Sequence, residues 1–248
     1  MKTDIIGNKI IILKETSSTN VYINNLSSEQ NLEEGTIVLA HYQTDGKGNA
    51  GNKWYSSRGK NLTLSVLLKP EFLEPVDQFY ISKIIALSVK DFIELYLNNA
   101  VIKWPNDIYV NNAKIAGILI ENSFIGQKFQ YSVTGIGINI NQTKFPESLP
   151  NPTSLALETR QVFHLEECLN LLCSLVEKHY TTLMAKNFTI IDYNYINHLY
   201  QLNEIKRYKT PEGIINAKIT EVRKTGEIIL KNTVGEELSY GFKEIEYL

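Results

Sequence analysis

The stretch from residue 101 to residue 140 constrains the fold more than any other part of the chain. Short apolar runs at 101–103, 107–110, 113–121 and 130–140 follow one another with no helical pattern between them. Asn111 and Asn112 separate two of these runs, and asparagine tolerates the positive φ of a tight hairpin. Strands that succeed each other without crossover helices form a meander. An α+β fold is therefore predicted, with a mixed, largely antiparallel sheet and helices packed on one face of it.

The flanking residues supply the rest of that sheet. Residues 9–14, 36–42 and 61–69 read as strands, the last ended by Pro70. Ser17, Ser18 and Thr19 cluster where a helix over 19–27 would need its N-cap. Apolar residues recur at helical spacing over 75–97, and helices are also predicted over 165–186 and 190–200. A polar loop containing prolines covers 141–152. From Leu202 the pattern changes: short runs at 205–208, 214–222, 227–231 and 237–240 are separated by Gly213, Gly226 and Gly235. This spacing predicts a small β-barrel. The expected division is 1–200 for a catalytic domain and 201–248 for the barrel.

Composition narrows the function classes. Lys and Arg number 25 against 27 Asp and Glu, so a formal charge of −2 gives no overall footprint for nucleic acid, although it hides any local patch. The N-terminal run MKTDIIGNKIIIL is broken by Asn8 and Lys9 and does not read as a signal peptide. No stretch approaches the roughly 20 apolar residues of a membrane span. Cys168 and Cys173 lie five apart in a helical run and read as buried thiols, which suits a reducing cytoplasm.

Three segments carry candidate chemistry. In QTDGKGNAGNKW (43–54), Gly46, Gly48 and Gly51 would let backbone N–H groups approach an anion, with Lys47 adding charge. The same glycines also suit a flexible surface loop. The G-x-G-x-x-G spacing is present, but a dinucleotide site needs a helix directly after it, and Trp54 and another strand follow instead. Trp54 is either a platform for a planar base or a core residue at a strand end. In KWPND (103–107), Lys103, Asn106 and Asp107 sit in a bend set by Pro105. Asp107 suits Mg²⁺, which takes carboxylate and phosphate oxygens, or simply caps its own turn. Lys114 begins KIAGILIE (114–121), a run apolar on both faces. A lysine there needs an anionic partner, unless it snorkels from the strand edge to water.

Taken together, SSTN (17–20), QTDGKGNAGNKW, KWPNDIY (103–109), KIAGILIE, GIGININ (135–141) and YGFKEI (240–245) resemble, in order, the biotin–protein ligases. The resemblance spans nearly the whole chain and implies a class II synthetase-like catalytic fold with an SH3-like C-terminal barrel. It implies ATP-dependent activation of biotin to biotinyl-5'-AMP, then transfer to a lysine of a biotin carboxyl carrier protein. No enzyme nucleophile is needed, so the chemistry rests on positioning and charge neutralisation.

By the same resemblance, Ser18, Thr19, Asn20 and Gln43 bind biotin, and Gly46, Lys47, Gly48 and Asn49 form a loop over biotin and the adenylate. Gly117 admits the ligand to the strand backbone. Trp54, Lys103, Asn106 and Asn139 serve ATP and the adenylate. Lys114 contacts both substrates and is catalytic with Asp107 and Lys47, and Asp107 also holds Mg²⁺. Two departures are notable. Lys47 and Asn49 stand where the family often has basic residues, commonly arginine, so the loop is expected to hold the adenylate less tightly. The first catalytic strand begins near Lys9, so neither a helix-turn-helix domain nor a DNA partner is expected. A lipoate–protein ligase and a non-catalytic binder of biotinyl-adenylate are the alternative readings. The cytoplasm is the expected compartment, and a homodimer remains open.

Overall fold

The computed structural model describes residues 3–248. Met1 and Lys2, part of the run read above for a signal peptide, lie outside the described residues. Strands β1 (Ile10–Leu13), β2 (Ile37–Ala40), β3 (Leu62–Leu68), β4 (Val101–Lys103), β5 (Asp107–Val110), β6 (Ala113–Ile125) and β7 (Lys128–Ile138) form one sheet. Their spatial order is β1-β2-β3-β7-β6-β5-β4. Only β1 and β2 run parallel; every other pairing is antiparallel. Asn111 and Asn112 make the predicted turn from β5 to β6 with φ of 50° and 63°.

The helices are α1 (Thr19–Glu29), α2 (Phe79–Glu94), α3 (Leu155–Thr159), α4 (Leu165–Met184) and α5 (Phe188–Asn197). They do not all lie on one face, as the sequence led us to expect. Val38, Leu67 and Val133 pack with Ile23 under α1. Their strand neighbours Ile37, Val66 and Leu68 belong instead to the large core with α2 and α4. The reason is visible in β3, where all seven residues are buried. A strand buried on both sides needs cover on both.

Helix α2 begins later than predicted, because Pro75–Asp77 forms a separate 3-10 turn. It is buried nearly all round, between the sheet and helices α4 and α5. Even Lys83 is enclosed, its charge met by Asp192 on α5 at 2.6 Å. The short α3 was not predicted; Ser154 caps it by accepting the N–H of Leu157 at 3.1 Å. Cys168 and Cys173 on α4 are buried free thiols, and burial pushes Cys173 up to about 11. Among the described residues, no helix is long and apolar enough to cross a membrane.

Strands β8 (Lys206–Thr210), β9 (Gly213–Val222), β10 (Ile228–Asn232), β11 (Glu237–Tyr240) and β12 (Glu246–Tyr247) form a second, antiparallel sheet. The order is β11-β10-β9-β8-β12. This sheet is fastened to the first at the KWPND bend. Trp104 is buried and donates its indole N–H to the carbonyl of Gly226 at 3.0 Å. Phe242 packs on Trp104 and Phe79, with ring centroids 5.4 and 5.8 Å apart. The C-terminal segment is thereby held beside the bend that joins β4 to β5.

Candidate functional site

The floor of the site is one face of the first sheet. Register places Lys103, Asp107, Gly117, Gly137 and Thr63 in one row across β4, β5, β6, β7 and β3. The next row holds Leu119, Gly135 and Ser65. Three glycines on one face leave the backbone bare, so large groups approach it closely. A Cβ on Gly137 would lie 2.3 Å from Cε2 of Trp54, and one on Gly135 would lie 2.4 Å from Oδ1 of Asn20. Gly117 was expected to admit a ligand to the strand. It lines the cavity, but the group lying against it is the Trp54 indole, 3.0 Å from its Cβ position.

At one end of this floor the side chains are neutral hydrogen-bonding groups. Gln43 Oε1 accepts from the backbone N–H of Thr19 at 2.7 Å and from the Thr19 hydroxyl at 3.0 Å. Gln43 thus does the capping expected of the Ser17–Thr19 cluster, and Ser18 at the N-cap position makes no side-chain cap bond. Ser65 donates to Asn20 Oδ1 at 2.6 Å and lies 2.7 Å from the Thr19 hydroxyl. Asn20 donates in turn to Glu121 at 2.8 Å. Ser18, Thr19 and Asn20 are all buried, so this network holds their positions before any ligand arrives.

The other end is cationic. Lys114 reaches it because of a β-bulge. Ala116 pairs with Ile108 and Lys114 with Tyr109, leaving Ile115 as an extra residue. Regular alternation would turn Lys114 to the side of Ala116 and Ile118. The bulge turns it to the side of Gly117, where its Nζ lies 2.7 Å from Asp107 Oδ1. Its nearest counter-charge is therefore this carboxylate, on the neighbouring strand. Lys103 stands opposite Asp107 in β4, against the faces of Tyr109 and Tyr247. Burial holds its ammonium below the usual lysine range; Asp107 partly offsets this, and Lys114 adds to it.

Asn106 lines the cavity, but its side-chain amide donates to the carbonyl of Ile118, whose N–H returns a bond to the Asn106 carbonyl at 2.9 Å. It ties the KWPND bend to β6 instead of holding that N–H free for a phosphate. The Trp104–Pro105 peptide in this bend is cis.

The glycine-rich segment folds over the cationic end as a closed loop. Trp54 N–H bonds to Gly46 O at 2.8 Å, and Gly48 N–H to Asn52 O at 2.7 Å. Asn49–Gly51 makes one 3-10 turn, with Gly51 at φ 84°. This single turn stands where a dinucleotide fold would place a full helix. Gly46 has no room for a side chain, because Trp54 O would lie 2.4 Å from its Cβ. It shapes the loop from behind and does not itself line the cavity. Trp54 Nε1 is buried with no partner.

These elements enclose a cavity of about 270 Å³. Its lining contains Lys47, Lys53, Lys103, Lys114 and Lys243 against one carboxylate, Asp107. Such a wall favours an anion of more than one charge. Asn139, expected beside the adenylate, is not part of the lining. Its amide donates to Thr153 O at 2.9 Å and its Oδ1 is buried without a partner, so it braces the loop behind β6. Sequence reasoning missed Ser65, Gly135 and Gly137, although alternate glycines in GIGINI signal a close approach to the strand. It also missed Lys243, Ile245 and Tyr247 of the C-terminal segment, which line the same cavity. No local pattern announces a contact between two separate sheets.

Among the described residues, no three His, Cys, Asp or Glu side chains are grouped to hold a metal ion. One carboxylate facing a lysine-rich wall fits Mg²⁺ carried in on phosphate oxygens, and does not fit a cage made by protein alone.

A sequence profile described as "Biotin/lipoate A/B protein ligase family" matches residues 12–139. Over 235 residues the chain is 28% identical to the biotin--[acetyl-CoA-carboxylase] ligase of Paracoccus denitrificans, covering 92% of this chain and 96% of that one. It is 29% identical to the bifunctional ligase/repressor BirA of Bacillus spizizenii, over 97% of this chain and 74% of that protein. Among solved structures, the biotin protein ligase of Aquifex aeolicus in complex with biotin and ATP superposes with a TM-score of 0.78 at 28% identity, covering 96% of this chain and 98% of that one.

Proposed function

The chain belongs to the biotin/lipoate A/B protein ligase family, and from that premise we propose that it is an ATP-dependent biotin–protein ligase acting on a biotin carboxyl carrier protein. One observation supports this reading above the others. A single cavity joins a neutral hydrogen-bonding end, at Thr19, Asn20 and Gln43, to a cationic end, at Lys47, Lys103 and Lys114. Biotin has both chemistries that such a cavity requires: a urea ring with donors and acceptors, and a carboxylate that must meet the phosphates of ATP.

In the first step the biotin carboxylate attacks the α-phosphorus of ATP. A new O–P bond forms, and pyrophosphate leaves with the electrons of the broken P–O bond. Lys114 contacts the carboxylate and α-phosphate oxygens and offsets charge that grows in the transition state. Lys103 and Lys47 neutralise the phosphates, and Trp54 packs beside the nucleotide. In the second step a carrier lysine attacks the acyl carbon of biotinyl-5'-AMP and AMP departs. Asp107 helps that amine lose its proton. When bound, Mg²⁺ would be held by Asp107 and would screen the phosphates.

In this reading residues 1–200 form the catalytic domain and 201–248 an SH3-like barrel. The same reading places the protein in the cytoplasm, calls for no DNA partner, and leaves the free edge of β1 to a second copy, since Ile10 and Ile12 are exposed there.

Pyrophosphate–ATP exchange tests the first step. The expected result is exchange that depends on biotin and is absent with lipoate in its place. Exchange driven by lipoate, and not by biotin, contradicts the proposal.

A further inference from the structure

Lys103 is a cation whose neighbours are mainly aromatic. Register sets Asp107 across from it, yet Asp107 is paired with Lys114 at 2.7 Å. The Lys103 ammonium instead lies 4.8 Å from the ring centre of Tyr109, 4.7 Å from that of Tyr247 and 5.8 Å from that of Tyr200. Its hydrogen-bond partner is the Tyr109 hydroxyl, at 3.5 Å. Aromatic faces stabilise a cation without neutralising it, so the charge stays available to an anion in the cavity. They also replace water around the ammonium and limit the rotamers of a long, flexible stem.

One wall of this cage comes from the second sheet. Tyr247 is in β12, paired with Tyr208 of β8, and its ring packs 5.3 Å from Tyr208 and 6.1 Å from Tyr200. Its hydroxyl is buried with no hydrogen-bond partner. The ring is the part of Tyr247 that meets the Lys103 ammonium.

We propose that Tyr247 is a positioning residue for adenylation: its ring holds the Lys103 ammonium in a tyrosine cage, aimed at the phosphates of the nucleotide. The C-terminal sheet thereby completes the nucleotide end of the cavity. This rests on the function proposed above, in which Lys103 meets ATP.

The test compares Tyr247→Phe, which keeps the ring, with Tyr247→Leu, which removes it. Each is made in the wild-type chain and in a Lys103→Met background. Biotin-dependent pyrophosphate exchange gives KM for ATP and kcat, and calorimetry gives biotin affinity. Phe is expected to behave as wild type. Leu is expected to raise KM for ATP roughly 2- to 30-fold, the worth of one cation–π contact, with biotin affinity unchanged. In the Lys103→Met background Leu and Phe should then be equal. Leu and Phe alike in the wild-type chain, or a Leu defect of the same size without Lys103, overturns the inference; the second result is also what a mere folding defect would give. A wild-type chain that exchanges no pyrophosphate with biotin overturns the proposed function, and this inference with it. Exchange by wild type with Leu equal to Phe overturns this inference alone.

Discussion

Lys114 owes its direction to one extra residue. Without the bulge at Ile115, strand alternation would send its ammonium among Ala116 and Ile118, both buried. The bulge sends it to Asp107 and the cavity. Asn49 is the counterpart on the loop: it lines the cavity at the start of the 3-10 turn, where it offers an amide and no charge. Replacing it with arginine adds a charge-assisted contact to the adenylate, worth about 1.5–3 kcal/mol. Release of biotinyl-5'-AMP from Asn49→Arg, followed after a chase with unlabelled biotin, should therefore be about 10- to 100-fold slower; unchanged release contradicts this. Residue identities at the site were legible as motifs, but directions were not. A bulge arises from pairing between β5 and β6, and KIAGILIE is apolar at both Ile115 and Ala116, so nothing local marks the extra residue. Asn106 and Asn139 show the same limit: no motif announces the backbone partners of their amides, here Ile118 and Thr153.

At the scale of elements, the site is made by pairing β6 with β7 so that Gly117 meets Gly137 and Leu119 meets Gly135. The bare patch takes the Trp54 indole. A methyl at Gly137 would sit 2.3 Å from that ring, so Gly137→Ala must displace it. The expected cost is about 1–3 kcal/mol, measured as a shift of the urea midpoint. The cost should shrink to a few tenths in a Trp54→Leu background, where the ring is gone. An equal cost in both backgrounds would show that Trp54 does not rest on this glycine. The strands and long helices of this region were legible from periodicity and from the Asn111-Asn112 turn. Two short elements were not: α3 has five residues and β12 has two, too few to show a period. The placement of α1 on the opposite face was also hidden. It follows from β3 being buried on both sides, whereas Thr63 and Ser65 alternating with Leu62, Leu64 and Val66 read as a half-exposed strand.

For the whole molecule, the net charge of −2 conceals a cavity lined by five lysines and one carboxylate. Totals carry no information about where charges fold; Lys47, Lys103 and Lys114 were legible only through their motifs, and the part of Lys53 and Lys243 in the lining not at all. The C-terminal sheet was legible as a run of short strands between glycines, yet not its place. Trp104, read as part of a bend, is the joint that sets that sheet beside the cavity, and Lys243 and Tyr247 reach the lining because of it. Two sheets thus meet around one cavity, and the proposed reaction has Lys114 at its centre. Intact-mass spectrometry of an apo biotin carboxyl carrier domain, after incubation with the protein, biotin and ATP, tests this most directly. The predicted result is one added biotinyl group on one lysine with the wild-type chain, and labelling slowed by about 10²- to 10³-fold with Lys114→Ala. A carrier left unmodified by the wild-type chain, or labelled at the same rate by Lys114→Ala, would contradict it.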